Sequence, residues 1–184
     1  MRSSHFSLTA GKLAFLIAIV ALLFSNVYAA SDNSKTFLNR GNEAIKDKDY
    51  QTAISDYTKA IQIDPNNADA YYFRGFAYYK IFGDLDKAIP DFTKAIKIDP
   101  NNARAYVSRG NVYDSLGDHN KAIADYTKAI EIDPNNVASA YSLRGSAYAN
   151  LRDYEKATKD AREACDLGDC KLLKYMIEKN QLRE

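Results

Sequence analysis

From residue 50 onward the apolar residues keep a seven-residue beat. Ala53 and Ala60 are followed by Ala88 and Ala95, Ala122 and Ala129, and Ala157 and Ala164. Seven residues are two helical turns, so each pair shares a face. Ile54, Tyr57 and Ile61 surround the first pair, Ile89, Phe92 and Ile96 the second, and Ile123, Tyr126 and Ile130 the third. The pattern predicts four amphipathic helices whose small residues mark the line of closest approach to a neighbour. Ahead of each lies another apolar run with a glycine near its middle: Gly41, Gly75, Gly110 and Gly145. Glycine costs ~1 kcal/mol in a helix relative to alanine. Four in register imply that a neighbouring helix comes close there.

The punctuation recurs as regularly. IQIDPNN, IKIDPNN and IEIDPNN end at Asn67, Asn102 and Asn136, and their prolines, Pro65, Pro100 and Pro134, are 35 and 34 residues apart. A fixed period of that size marks a repeat architecture. Proline cannot continue a helix and restricts the residue before it, so each Asp-Pro closes a second helix. The asparagine that follows is placed to cap the next. Gly83-Asp84 and Gly117-Asp118 mark short turns inside a unit. The second unit is one residue longer, through Lys80-Ile81-Phe82-Gly83, and carries Pro90 inside its second helix, where a local bend is expected.

These units resemble the tetratricopeptide repeat family. The resemblance rests on an aromatic at the front of each unit (Phe37, Tyr71, Tyr106, Tyr141), the glycine four residues later, Tyr78, Tyr113 and Tyr148 three residues on, and the later alanines, ring and proline. It covers Ser34 to Asp169. Arg40, Arg74, Arg109 and Arg144 precede the glycines where an aliphatic residue is usual, as in a bacterial subgroup. The resemblance implies an all-α fold, a right-handed α-solenoid of antiparallel helix pairs whose first helices line a concave groove, and a non-catalytic role in holding peptides or proteins. The units fall at about 34–67, 68–102, 103–136 and 137–168. The fourth departs from the pattern, with Ala161 in the place of the ring and Gly168-Asp169 in the place of Asp-Pro. Leu172, Leu173, Met176 and Ile177 then recur at helical spacing and predict a capping helix over 169–182, for which the smaller Ala161 leaves room.

The first 29 residues read differently. Arg2 and Lys12 precede an unbroken apolar run from Leu13 to Phe24, and Val27-Tyr28-Ala29 follows. That is the form of a secretory signal peptide, too short for a comfortable membrane span. The expected mature domain is 30–184, not membrane-embedded, and periplasmic or secreted. Cleavage leaves 23 basic side chains against 24 acidic ones, which gives no general attraction to nucleic acid. An oxidising compartment permits a bond between Cys165 and Cys170 if the chain turns between them. Two free cysteines used as small core residues are the alternative.

Catalytic chemistry is not expected. The mature chain holds one histidine, His119, read as a solvated turn residue, and it lacks a zinc pattern, a haem attachment motif, a phosphate loop and a nucleophile elbow. No cofactor is expected. The expected partner is a protein or peptide in the groove. A structural or assembly role in an envelope complex, a glycan ligand and weak self-association are the alternatives. The candidate groove residues centre on AYYFRGFAYYKIF, seven aromatics in thirteen residues. Tyr72, Phe76 and Tyr79 share one face and exceed what the repeat core uses. Asn42, Lys46 and Asn111 are the candidate polar contacts around them. The family's carboxylate-holding arrangement is incomplete, because Leu38 stands where its lysine would be.

Overall fold

A computed structural model describes residues 15, 18–20, 33–133 and 138–179. The amino-terminal signal-like segment falls almost wholly outside the described residues, and so does the third Asp-Pro-Asn-Asn corner at 134–136. Among the described residues no helix is long and apolar enough to cross a membrane.

The chain forms the expected right-handed α-solenoid of antiparallel helix pairs. Helix α1 covers 33–46. It is followed by α2 (Tyr50–Ile63), α3 (Ala68–Ala77), α4 (Leu85–Ile98), α5 (Ala103–Ser115), α6 (His119–Ile132), α7 (Ala138–Asn150), α8 (Tyr154–Asp166) and α9 (Lys171–Glu178). Each helix from α2 to α9 packs against its chain neighbours.

The helix starts follow the local chemistry. Asn67 and Asn102 accept from the backbone N–H of Ala70 and Ala105 at 3.0 and 3.1 Å. The second helices start on aspartates: Asp49, Asp84, Asp118 and Asp153 each accept from the N–H three residues on. These carboxylates satisfy donors that a helix leaves unpaired. The turns before Asp84 and Asp118 pass through a left-handed residue, Gly83 (φ 63°) and Gly117 (φ 78°). Lys48 and Arg152 adopt the same conformation in the first and fourth units. The extra residue of the second unit is absorbed by a π-helical turn, Tyr78–Phe82, that extends α3. Pro90 lies inside α4, which continues through it as one helix.

The core runs as a spine between the two layers. Ala53, Ala60, Ala88, Ala95, Ala122, Ala129, Ala157 and Ala164 are fully buried. The glycines meet the large ring of their own second helix. A Cβ on Gly41 would stand 2.5 Å from the Tyr57 ring, and one on Gly110 2.7 Å from that of Tyr126. In the fourth unit the ring is missing, and Leu172 of α9 fills the space, with Ala157, Ala161 and Met176 around it.

The outer face of the first unit is adapted to being an end. Where later units bury Ala70, Ala105 and Ala140, and again Ala77, Val112 and Ala147, the first unit has Thr36 and Glu43, both exposed. A terminal unit needs such a polar face because no neighbour covers it.

Candidate binding groove

Each unit after the first holds a buried charge pair between its own two helices, and the same arginine reaches a threonine of the unit before. Arg74 donates from Nε and Nη2 to the two carboxylate oxygens of Asp91, both at 2.8 Å, and from Nη1 to Thr58 Oγ1 at 3.1 Å. Arg109 does the same with Asp125 and Thr93, and Arg144 with Asp160 and Thr127. A bidentate guanidinium–carboxylate pair fixes direction as well as distance. Hydrogen bonding to the carboxylates, chiefly, raises all three guanidinium pKa values further above the usual arginine value. Among the described residues no unit precedes that of Arg40. Its Nε lies 3.3 Å from Asp56 Oδ2, its side chain is 57% exposed, and Oδ2 accepts no hydrogen bond. At the other end Arg162 stands in the place of the threonine. These aspartates escaped the sequence reading, although the signal was present. Asp56, Asp91, Asp125 and Asp160 sit on the alanine face of each second helix, where a lone charge would be costly, and four arginines recur beside them in register.

These contacts seat each first helix between its own second helix and that of the unit before. Tyr72, expected as surplus, belongs to the core instead. It is 9% exposed, and its ring centroid lies 5.2 Å from that of Phe73 and 5.9 Å from that of Phe92. The reason is tertiary packing: Phe92 of α4 lies against the ring beside Phe73, and Ala105 of α5 belongs to the same buried cluster. Phe76 remains 37% exposed, beside Tyr72 at 6.2 Å. Tyr79 sits in the π-helical turn with its hydroxyl 3.4 Å from that of Ser115, across to the third unit.

Between the first two units Tyr72 and Phe76, but not Tyr79, border an apolar hollow of about 340 Å³. Ile45, Tyr57, Phe73 and Phe76 line it together with an edge of Tyr72, and Asn42, Lys46 and Arg104 complete the wall. The Arg104 guanidinium stands 5.7 Å from the centroid of the Tyr72 ring. Beyond that pair a more polar hollow of about 750 Å³ continues to the third and fourth units, past Val107, Ser108 and Ser139.

The candidate polar residues separate. Asn42 and Lys46 border the apolar hollow; Asn111 does not. The Asn42 amide oxygen accepts from the Tyr57 hydroxyl at 3.0 Å, and that of Asn111 from the Tyr126 hydroxyl at 2.9 Å. In the second unit the same two positions are Phe76 and Phe92, so no hydroxyl needs an acceptor there and the groove surface turns apolar. Burial pushes the Tyr57 hydroxyl up to about 12 and raises that of Tyr126 further. Lys46 donates to Glu43 at 2.8 Å on the surface.

Two other sequence candidates resolve clearly. Cys165 and Cys170 are joined by a disulfide, with Cα atoms 4.0 Å apart, across a turn in which Gly168 has φ 100°. His119 is not a freely solvated residue: its Nδ1 is 2.7 Å from Asp114 Oδ1, and its side chain is 23% exposed. Among the described residues no cluster of three or more His, Cys, Asp or Glu is arranged to hold a metal ion.

Comparison with known proteins agrees with this geometry. The tetratricopeptide repeat family matches over 103–136 and again over 125–159, and the TPR repeat family over 41–81 and 83–117. No curated protein sequence matches the chain. Among solved structures, a crystal structure of MamA is 30% identical, with a TM-score of 0.67, over 88% of this chain and 96% of that one. The Arabidopsis OM64 TPR domain is 30% identical over 65% of this chain and 98% of that one, with a TM-score of 0.61. The first TPR of Spaghetti (RPAP3), bound to the HSP90 peptide SRMEEVD, is 27% identical over 66% and 94%, with a TM-score of 0.63.

Proposed function

The chain belongs to the tetratricopeptide repeat family, and from that premise we propose that it is a non-catalytic adaptor that binds a protein segment in the groove between its first two units. The observation that carries the reading is Phe76. A phenylalanine 37% exposed at the edge of an apolar hollow, in a position that is Asn42 or Asn111 in neighbouring units, is surplus to the packing of its own unit. The fold is a protein-interaction scaffold, and the peptide bound to the similar RPAP3 domain supports an extended segment as the ligand class. The adaptor acts outside the cytoplasm in this reading. The charged and apolar amino-terminal pattern supports export, and the Cys165–Cys170 disulfide suits an oxidising compartment.

The test uses Phe76, because Tyr72 is core and its truncation would confuse binding with folding. An array of labelled decapeptides is screened against the mature protein, and hits are measured again with Phe76→Ala. Loss of binding with an unchanged melting temperature supports the groove. Unchanged binding by the variant would overturn it.

A further inference from the structure

We propose that the polar hollow spanning the second to fourth units takes a lysine or arginine side chain of the bound protein segment, so that the groove reads a basic residue beside its apolar anchor. This rests on the groove reading above and adds the chemistry of the ligand.

The feature that opens the hollow is Ser108. Two residues before the glycine of their unit, the second and fourth units carry Phe73 and Leu143. Phe73 stacks on the Tyr57 ring at 6.0 Å, and Leu143 packs in the cluster of Tyr126. Each therefore fills space beside the large ring of the unit before. The third unit has a serine at that position, and it lines a hollow of about 750 Å³. Ser108 is only 8% exposed, yet its hydroxyl makes no hydrogen bond among the described residues. Ser115 and Ser146, on equivalent helices, instead donate to the carbonyl four residues back. A nearly buried hydroxyl without a partner, at the wall of an open hollow, is a group that a ligand satisfies.

The charge around it selects the ligand. Asp69, Asp99 and Asp133 share the wall with a single cation, Arg104. They converge from three elements: the first turn of α3 and the carboxyl ends of α4 and α6. Asp69 makes no ion pair among the described residues. Asp99 accepts from the Asn101 N–H at 3.1 Å through one oxygen only. The Arg104 guanidinium is held over the Tyr72 ring, and three carboxylates outnumber it. A long basic side chain meets both demands. Its methylenes lie along Val107 and Ile132, and its head brings only donors, to Ser108 and to the carboxylates. An apolar side chain would leave the hydroxyl unpaired, and an acidic one would face three like charges. Tyr72 and Arg104 line both hollows, so one extended segment crosses from the apolar hollow into the acidic one.

The test compares three acetylated and amidated decapeptides, each with a central leucine flanked on both sides by lysines, serines or glutamates, using fluorescence anisotropy. At low salt the lysine peptide should bind at least about tenfold tighter than the glutamate peptide, and the gap should narrow as salt rises. Ser108→Leu fills the hollow with the residue type that the fourth unit carries there. It should bring the lysine peptide down to the affinity of the serine peptide and leave the serine peptide unchanged. Asp69→Asn with Asp99→Asn keeps the acceptor for Asn101 and should act in the same direction at a melting temperature close to wild type; if the leucine disturbs folding, this pair decides alone. A lysine preference that survives both changes would overturn this hollow as its source. Equal affinity for the three peptides, or preference for glutamate, each still lost in Phe76→Ala, would overturn the basic residue and leave the groove standing. Displacement of the lysine peptide by 1,5-diaminopentane at equal concentration would overturn a protein segment as the occupant. Absence of binding by all three, with an intact fold, would overturn both readings.

Discussion

Leu172 stands over Gly145, where a Cβ would come within 2.7 Å of its Cδ2 atom. In the first and third units that place over the glycine belongs to the rings of Tyr57 and Tyr126. The capping helix therefore supplies from outside what Ala161 does not supply from within, and the array ends by completing its own last unit. Leu172→Ala removes this filling side chain. The expected cost is about 2–4 kcal/mol, as for buried leucines elsewhere, measured by urea unfolding. Gly145→Ala should cost about 1–3 kcal/mol by overpacking, because the carbonyl of Ala157 also lies 3.2 Å from the added carbon.

The charge ladder should be strong inside and weak at its open end. Arg109→Ala leaves Asp125 buried without its bidentate partner and should cost about 3–5 kcal/mol. Arg40→Ala breaks a pair whose arginine is more than half exposed, and Lys59 remains 3.5 Å from Asp56. That change should cost under about 1 kcal/mol. Equal effects in denaturant melts would show that the Thr93 and Asp125 contacts do not set the difference.

Acid should act through the helix caps. Side-chain hydrogen bonding to Lys87, Lys121 and Lys156 holds the carboxyls of Asp84, Asp118 and Asp153 below their usual value of 3.8, and Thr52 does the same for Asp49. A depressed folded value means that the stabilisation is fully present above the unfolded value. It is lost as pH falls through the folded one. Asp118→Asn retains a capping oxygen without a titrating charge. The melting temperature of wild type should fall toward that of the variant below about pH 4, with the difference constant from pH 5 to 7. A difference that does not change with pH would refute a contribution from the titrating charge at the cap.

The disulfide fastens the start of the cap to the end of α8. Its loop is short, so reduction should cost only about 2 kcal/mol through the unfolded chain. The first amides to lose hydrogen-exchange protection on reduction should be those of α9. Uniform loss across α2 to α8 would contradict a local fastener.

Much of this molecule was legible because its information is local and repeated. Asp-Pro corners, asparagine caps and the alanine beat act within a few residues, and repetition makes each signal confirm the next. The room left by Ala161 was readable for the same reason. The groove was less legible. Tyr72, Phe76 and Tyr79 share one face of a helix by spacing, yet one is core, one is open and one reaches to Ser115. Spacing reports the direction in which a side chain leaves its own helix. Which neighbours meet it depends on the packing of the helices around it and on the π-helical turn that absorbs the extra residue of the second unit. The same holds for Arg104 over Tyr72, thirty-two positions apart in the chain. Local periodicity determined the helices and their order. Only the packing of the helices on one another decided which aromatic remained exposed, because burial is a property of the neighbours as well as of the residue.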